Sequence, residues 1–93
     1  MALTPEARVK RDVKKFLAER GAWWSMPIGS GFGKSGVPDF LVCHQGRFIA
    51  IETKAPGRLK NTTAMQDIQL AAIRDAGGVS VVVDDVRQLE GIL

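Results

Sequence analysis

The stretch Gly36-Val37-Pro38-Asp39-Phe40-Leu41-Val42-Cys43-His44-Gln45-Gly46-Arg47-Phe48-Ile49-Ala50-Ile51-Glu52-Thr53-Lys54 decides the reading of this chain. Two apolar runs, Phe40 to Cys43 and Phe48 to Ile51, flank a polar turn at Gln45-Gly46, the signature of a β-hairpin. With a two-residue turn, His44 lies opposite Arg47, and the same register carries Asp39 opposite Glu52; a four-residue loop from His44 to Arg47 leaves that pairing unchanged. Directly opposed side chains share a face with Cβ atoms roughly 5 Å apart, so two carboxylates there repel. A positive charge is expected between them. Lys54 lies two residues beyond Glu52 and projects from the same face. The open end of the hairpin therefore presents two carboxylates and an ammonium together.

Outward from the hairpin, residues 4 to 20 read as a helix, with Thr4 as N-cap, Pro5 in the first turn and Gly21 past the end. Val9, Val13, Phe16 and Leu17 follow one buried stripe. Lys10, Arg11, Lys14 and Lys15 occupy the remaining face, as a solvated surface or as phosphate contacts. Glu6 in the first turn is explained equally by the helix dipole and by a role in the site.

Trp23 and Trp24 fall in a short extended segment, where neighbours face opposite ways, so one is expected in the core and the other outside. The glycine-rich stretch Gly29 to Gly36 fails as a phosphate loop, because Ile28 stands where such a loop needs glycine. Gly31-x-Gly33-x-x-Gly36 leads into Val37-Pro38 and a strand where a dinucleotide motif must open a helix. It reads as a mobile border of a site, with Lys34 available to a phosphate.

Beyond the hairpin, Arg58, Lys60, Asn61 and Thr62 make a polar, basic loop. A helix is expected from Ala64 to Ala76, burying Met65, Ile68, Ala72 and Ile73 or close neighbours, and closed by Gly77-Gly78. Thr63-x-x-Gln66 fits a capping box, which explains Gln66 without any chemistry. Val79 to Val83 reads as a strand covered on both faces, and Asp84 or Asp85 as the cap of a short final helix ending near Leu93. A strand, helix, strand connection after a hairpin makes an α/β fold with a small mixed sheet, its last strand parallel to its neighbour.

The chain has 93 residues, 45% of them apolar, and a formal charge of +3. That size suits one domain spanning residues 1–93, and the modest positive charge is compatible with a polyanionic partner. Cys43 is the sole cysteine, which excludes an intramolecular disulfide and argues against a cysteine zinc site; a small buried apolar role is expected. No apolar run is long enough to span a bilayer, and the start of the chain carries charges where a signal peptide is apolar. The expected location is cytoplasmic, with no membrane partner.

Facing carboxylates beside apolar strands are costly without a cation. Hard oxygen donors few in number suit Mg²⁺ or Mn²⁺, which keep waters and accept a substrate phosphate, so the outline is that of a phosphodiester-cleaving site.

Pro38-Asp39 followed by Glu52-Thr53-Lys54 across a hairpin resembles the motif of the PD-(D/E)xK nucleases. More narrowly, Glu6 on an N-terminal helix, Gly36-Val37-Pro38-Asp39, and Gln66 before Gly77-Gly78 resemble the virus-type replication-repair nuclease (VRR-NUC) domain in its small stand-alone form from phages and bacteria. The segment between Leu59 and Gln66 departs from it, being longer and lacking a proline before the glutamine, so Gln69 competes with Gln66. The resemblance implies a restriction-endonuclease-like core. It implies that Asp39, Glu52 and the Thr53 carbonyl bind Mg²⁺ or Mn²⁺, with Glu6 completing the site through water or a second ion. Lys54 then positions or deprotonates the attacking water, or stabilises developing charge, and Gln66 orients Lys54, water or phosphate. Lys34, Arg58, Lys60 and the helix residues Lys10, Arg11 and Lys14 are expected to hold the DNA backbone. A homodimer acting on branched DNA, above all four-way junctions, is the implied activity, in a bacterial host cell if phage-encoded. A less selective nicking or flap endonuclease and a non-catalytic DNA-binding module are the alternatives.

Overall fold

The computed structural model of the chain describes residues 2–28 and 33–93. Helix α1 (Pro5–Glu19) begins where the sequence places its cap: the Thr4 hydroxyl accepts the Ala7 amide at 3.1 Å, and Pro5 occupies a first-turn position whose N–H has no partner to lose. Val9, Val13 and Leu17 face inward and are buried, and Phe16 packs at their edge under the Arg20 guanidinium, 4.4 Å from its ring centre. Strand β1 (Trp23–Ser25) leads to the hairpin strands β2 (Phe40–His44) and β3 (Arg47–Thr53), followed by α2 (Ala64–Asp75), β4 (Val79–Val83) and a 3-10 helix (Val86–Leu89).

The hairpin turn contains two residues, with His44 opposite Arg47 and Phe40 opposite Ile51. Gln45 and Gly46 adopt φ of 50° and 78°, the paired left-handed backbone of a turn whose twist matches that of the strands. The sheet order is β1-β2-β3-β4, antiparallel across the first three strands and parallel between β3 and β4. Alternation along the strands sends Phe40, Val42, Ile49, Ile51 and Val83 to one face, where they close the core against Val9, Val13, Leu17 and Leu89. Trp24 joins them, its ring edge-on to Phe40 at 5.8 Å, while its neighbour Trp23 is 65% exposed.

The opposite face is covered over part of its width only. Helix α2 packs beside β4, tied by the Ser80 hydroxyl to the Leu70 carbonyl at 2.7 Å and by the Arg74 guanidinium to the Ser80 carbonyl. Among the described residues nothing covers the face toward β1, and Trp23, Cys43 and Phe48, consecutive across three strands, are exposed on it. This corrects the expectation of a buried Cys43, whose parity on β2 puts it opposite the core-facing Val42 and beyond the reach of α2.

Two further expectations are corrected. Met65 and Ile68 are exposed and Ala72 with them, because the inward line of α2 is Gln66, Leu70 and Ile73. The last helix is a four-residue 3-10 turn capped by Asp85; Glu90 is already extended, with ψ of 132°, and the turn sends Leu89 fully into the core with Val86 packed at its edge. Among the described residues, no helix is long and apolar enough to cross a membrane.

Candidate metal centre

At the open end of the hairpin the main chain and the two carboxylates hold each other. Asp39 Oδ2 accepts the Thr53 amide at 2.9 Å and the Thr53 hydroxyl at 2.6 Å, while the Asp39 amide donates to Glu52 Oε1 at 3.2 Å. Each carboxylate thus takes a backbone N–H of the opposite strand, where a plain ladder would have paired N–H with carbonyl. Both are fixed in direction by the sheet itself. Pro38, fully buried, anchors the approach to Asp39.

Glu52 is 2% exposed, and its environment is hostile to a negative charge. Burial first, then the neighbouring charge of Asp39, raise its pKa to about 7, and Lys54 offsets them only in part. A cation arriving between the two carboxylates removes that conflict.

Lys54 lies on the same face as Glu52, its Nζ 3.7 Å from Glu52 Oε2. It donates to Gln66 Oε1 at 3.0 Å. The same oxygen accepts the Thr63 amide at 3.0 Å, while the Gln66 amide donates to Thr63 Oγ1, so the capping box is complete. One atom of Gln66 thus completes the cap and holds Lys54.

Glu6 stands apart. It is 44% exposed, and its carboxylate accepts Lys10 Nζ at 2.6 Å. Lys10 also lies 3.8 Å from Asp39 Oδ2, so this lysine, grouped by sequence with Arg11, Lys14 and Lys15 as solvated surface or phosphate contact, turns toward the acidic pair. Burial alone would lower its pKa, but the hydrogen bond it donates to Glu6 and the charges of Asp39, Glu6 and Glu52 raise it. Nothing in the sequence separated Lys10 from its basic neighbours except its place one turn after Glu6.

Gly36 is a second residue whose part was hidden. Its φ is +76°, and a Cβ there would stand 2.5 Å from the Met65 carbonyl carbon and 2.7 Å from the Gln66 nitrogen. The chain entering the hairpin therefore lies flush against the start of α2 and sets where Gln66 begins.

Arg11 and Lys14 are exposed on α1, Lys34 follows the glycines, and Arg58 and Lys60 lie exposed in the loop after β3. Of the glycine-rich border, Gly29 to Phe32 lie outside the described residues.

Among the described residues, no three His, Cys, Asp or Glu side chains form a group able to hold a metal. The donors at hand are two carboxylates, plus the Thr53 carbonyl, which strand geometry sends to the same side as the Thr53 amide and hence toward Asp39. Two hard carboxylates in forced proximity fit a divalent ion that fills its remaining positions with water and a substrate oxygen, as Mg²⁺ and Mn²⁺ do.

No family model matches the chain, and no curated protein matches it. Among solved structures it is similar to a VRR_NUC domain, at 26% identity and a TM-score of 0.75, over 97% of this chain and 95% of that one. The resemblance read from the residues at the hairpin therefore extends to the whole fold, a mixed α/β core of the restriction-endonuclease-like kind.

Proposed function

We propose that this chain is a nuclease domain of the PD-(D/E)xK type, a divalent-metal-dependent endonuclease that hydrolyses phosphodiester bonds in branched DNA as a homodimer. The observation that carries the reading is the placement of Glu52, buried to 2% exposure opposite Asp39 and beside Lys54. Folding alone has no use for such a pair, which a hydrophobic pair would replace at no loss of stability.

Asp39, Glu52 and the Thr53 carbonyl would hold Mg²⁺ or Mn²⁺, and Glu6 lies one helix turn from Lys10 at the margin of this set. Bound there, the ion would lower the pKa of water and neutralise charge on the phosphate. Lys54, restrained by Gln66, stands beside Glu52, where its ammonium would position the attacking water or stabilise the developing charge, or its neutral amine would take the water's proton. Exposed Lys34, Arg58, Lys60, Arg11 and Lys14 supply cations for the DNA backbone, making affinity fall with salt.

Selectivity for four-way junctions rests on the family resemblance and on the lack, among the described residues, of a base-reading helix, which favours recognition of shape. A symmetric dimer would place two such sites against opposing strands. The test is cleavage of a synthetic four-way junction beside matched duplex and flap substrates in Mg²⁺ or Mn²⁺, with sedimentation to give the oligomeric state. Paired cuts in the junction at a rate well above duplex and flap support the reading. Equal cutting of all three removes junction selectivity, and a monomer on DNA removes paired cutting.

A further inference from the structure

Each carboxylate of the acidic pair has its own lysine. Lys54 stands 3.7 Å from Glu52, and Lys10 stands 3.8 Å from Asp39. Lys54 is 12% exposed and held by Gln66, so it is built in place. Lys10 is held differently, on a flexible stem reaching from α1, 26% exposed and hydrogen-bonded to the half-exposed Glu6. A Glu-Lys pair one turn apart on a helix is an ordinary surface contact, and it accounts for the Glu6 distance. It does not account for the approach to Asp39, which brings the ammonium off the helix surface toward a strand.

We propose that Lys10 is the resident counter-cation of the metal-free site, standing beside Asp39 in place of a divalent ion and withdrawing when one binds, so that it sets the metal affinity. The proposal rests on the reading of Asp39 and Glu52 as metal ligands. Without metal, Lys10 and Lys54 offset all but one of the three formal negative charges of Asp39, Glu52 and Glu6. With a divalent ion added and Lys10 still in place, the same cluster is overcharged in the positive sense, and the ammonium repels the ion at close range. Lys10 is the cation free to leave, since its stem carries four rotatable carbons and leads toward solvent, whereas Lys54 is enclosed. A basic residue that weakens metal binding in the absence of DNA would leave full loading to the moment when substrate phosphate adds its own negative charge.

The experiment is calorimetric titration of Mn²⁺ and of Mg²⁺ into the full chain without DNA, for wild type, Lys10→Met, Lys10→Gln and a control, Lys15→Met, on the exposed side of α1. The expected result is about three- to tenfold tighter binding in both Lys10 variants and none of this change in the control. The metal-free Tm of the Lys10 variants should also fall while their Tm in saturating Mn²⁺ does not. Unchanged or weaker binding in Lys10→Met and Lys10→Gln, with wild type binding normally, overturns the role of Lys10 alone. Absence of binding by wild type and all variants removes the metal-site reading, and this proposal with it.

Discussion

Lys54 Nζ and the Thr63 amide share one acceptor, Gln66 Oε1, each at 3.0 Å. The N-terminus of α2 and the candidate catalytic lysine are therefore fastened by the same side chain, and substitutions on either side of it separate the two functions. Thr63→Ala removes the cap and leaves Gln66 in place. We expect it to cost about 1 kcal/mol of stability and to leave cleavage within about twofold of wild type. Gln66→Ala should cost a similar amount of stability and lower kcat by about tenfold or more, because Lys54 loses its restraint. Chemical denaturation and single-turnover cleavage measure the two effects.

Glu52 makes metal-free stability depend on pH in a stated direction. Its folded pKa of about 7 lies above the unfolded value, so the folded state binds the extra proton between about pH 4.5 and pH 7. The stabilising contribution is complete below the unfolded pKa and is lost as pH rises through 7. Its full span is on the order of 3 kcal/mol, and Glu52→Gln should abolish it, leaving the variant more stable than wild type at pH 8. Thermal denaturation of both proteins in chelator, taken as the difference at each pH, isolates the residue. Divalent ion should raise the Tm of wild type more at pH 8 than at pH 6, since binding competes with the proton.

Gly36→Ala tests the close approach that positions α2. A methyl group there meets main-chain atoms of Met65 and Gln66 and adds strain at a positive φ. A loss of about 1 to 3 kcal/mol is expected, together with reduced cleavage, because Gln66 moves with the helix start. Gly57→Ala, also at positive φ but with open space around its Cβ position, should lose less stability and keep cleavage. Equal losses in the two variants would assign the effect of Gly36 to backbone strain alone.

The residues proposed to contact DNA make a prediction in salt. Replacing Arg58 or Lys60 with Ala should weaken binding to junction and duplex alike and reduce the slope of log affinity against log salt by about 1 for each phosphate no longer neutralised. A fluorescence-anisotropy titration at several salt concentrations reads both quantities.

The hairpin was legible because its two strands alternate around a turn that only one register satisfies, so Asp39 and Glu52 met as the pattern required. Helix α1 was legible for a similar reason, with cap, proline and apolar stripe agreeing on the same bounds. Helix α2 was misread in its packing. Its inward line starts with the polar Gln66, which reaches Lys54, so an apolar search settled on Met65 and Ile68, which point outward. Cys43 misled because a buried assignment presumes a second cover over the sheet, and α2 covers only the β4 side. Lys10 and Gly36 were hidden for another reason: their parts depend on where α1 and the start of α2 sit relative to the hairpin, a distance no local pattern contains.

The central claim is that Asp39 and Glu52 form the metal-binding heart of a DNA-cleaving site. Its most direct measurement is cleavage of a labelled four-way junction in Mn²⁺ by wild type and Glu52→Gln, with DNA binding followed in the same samples. The account predicts strand cleavage by wild type, dependent on the ion, and loss of cleavage by at least about a hundredfold in the variant with DNA affinity retained. Cleavage at the wild-type rate by Glu52→Gln would contradict it.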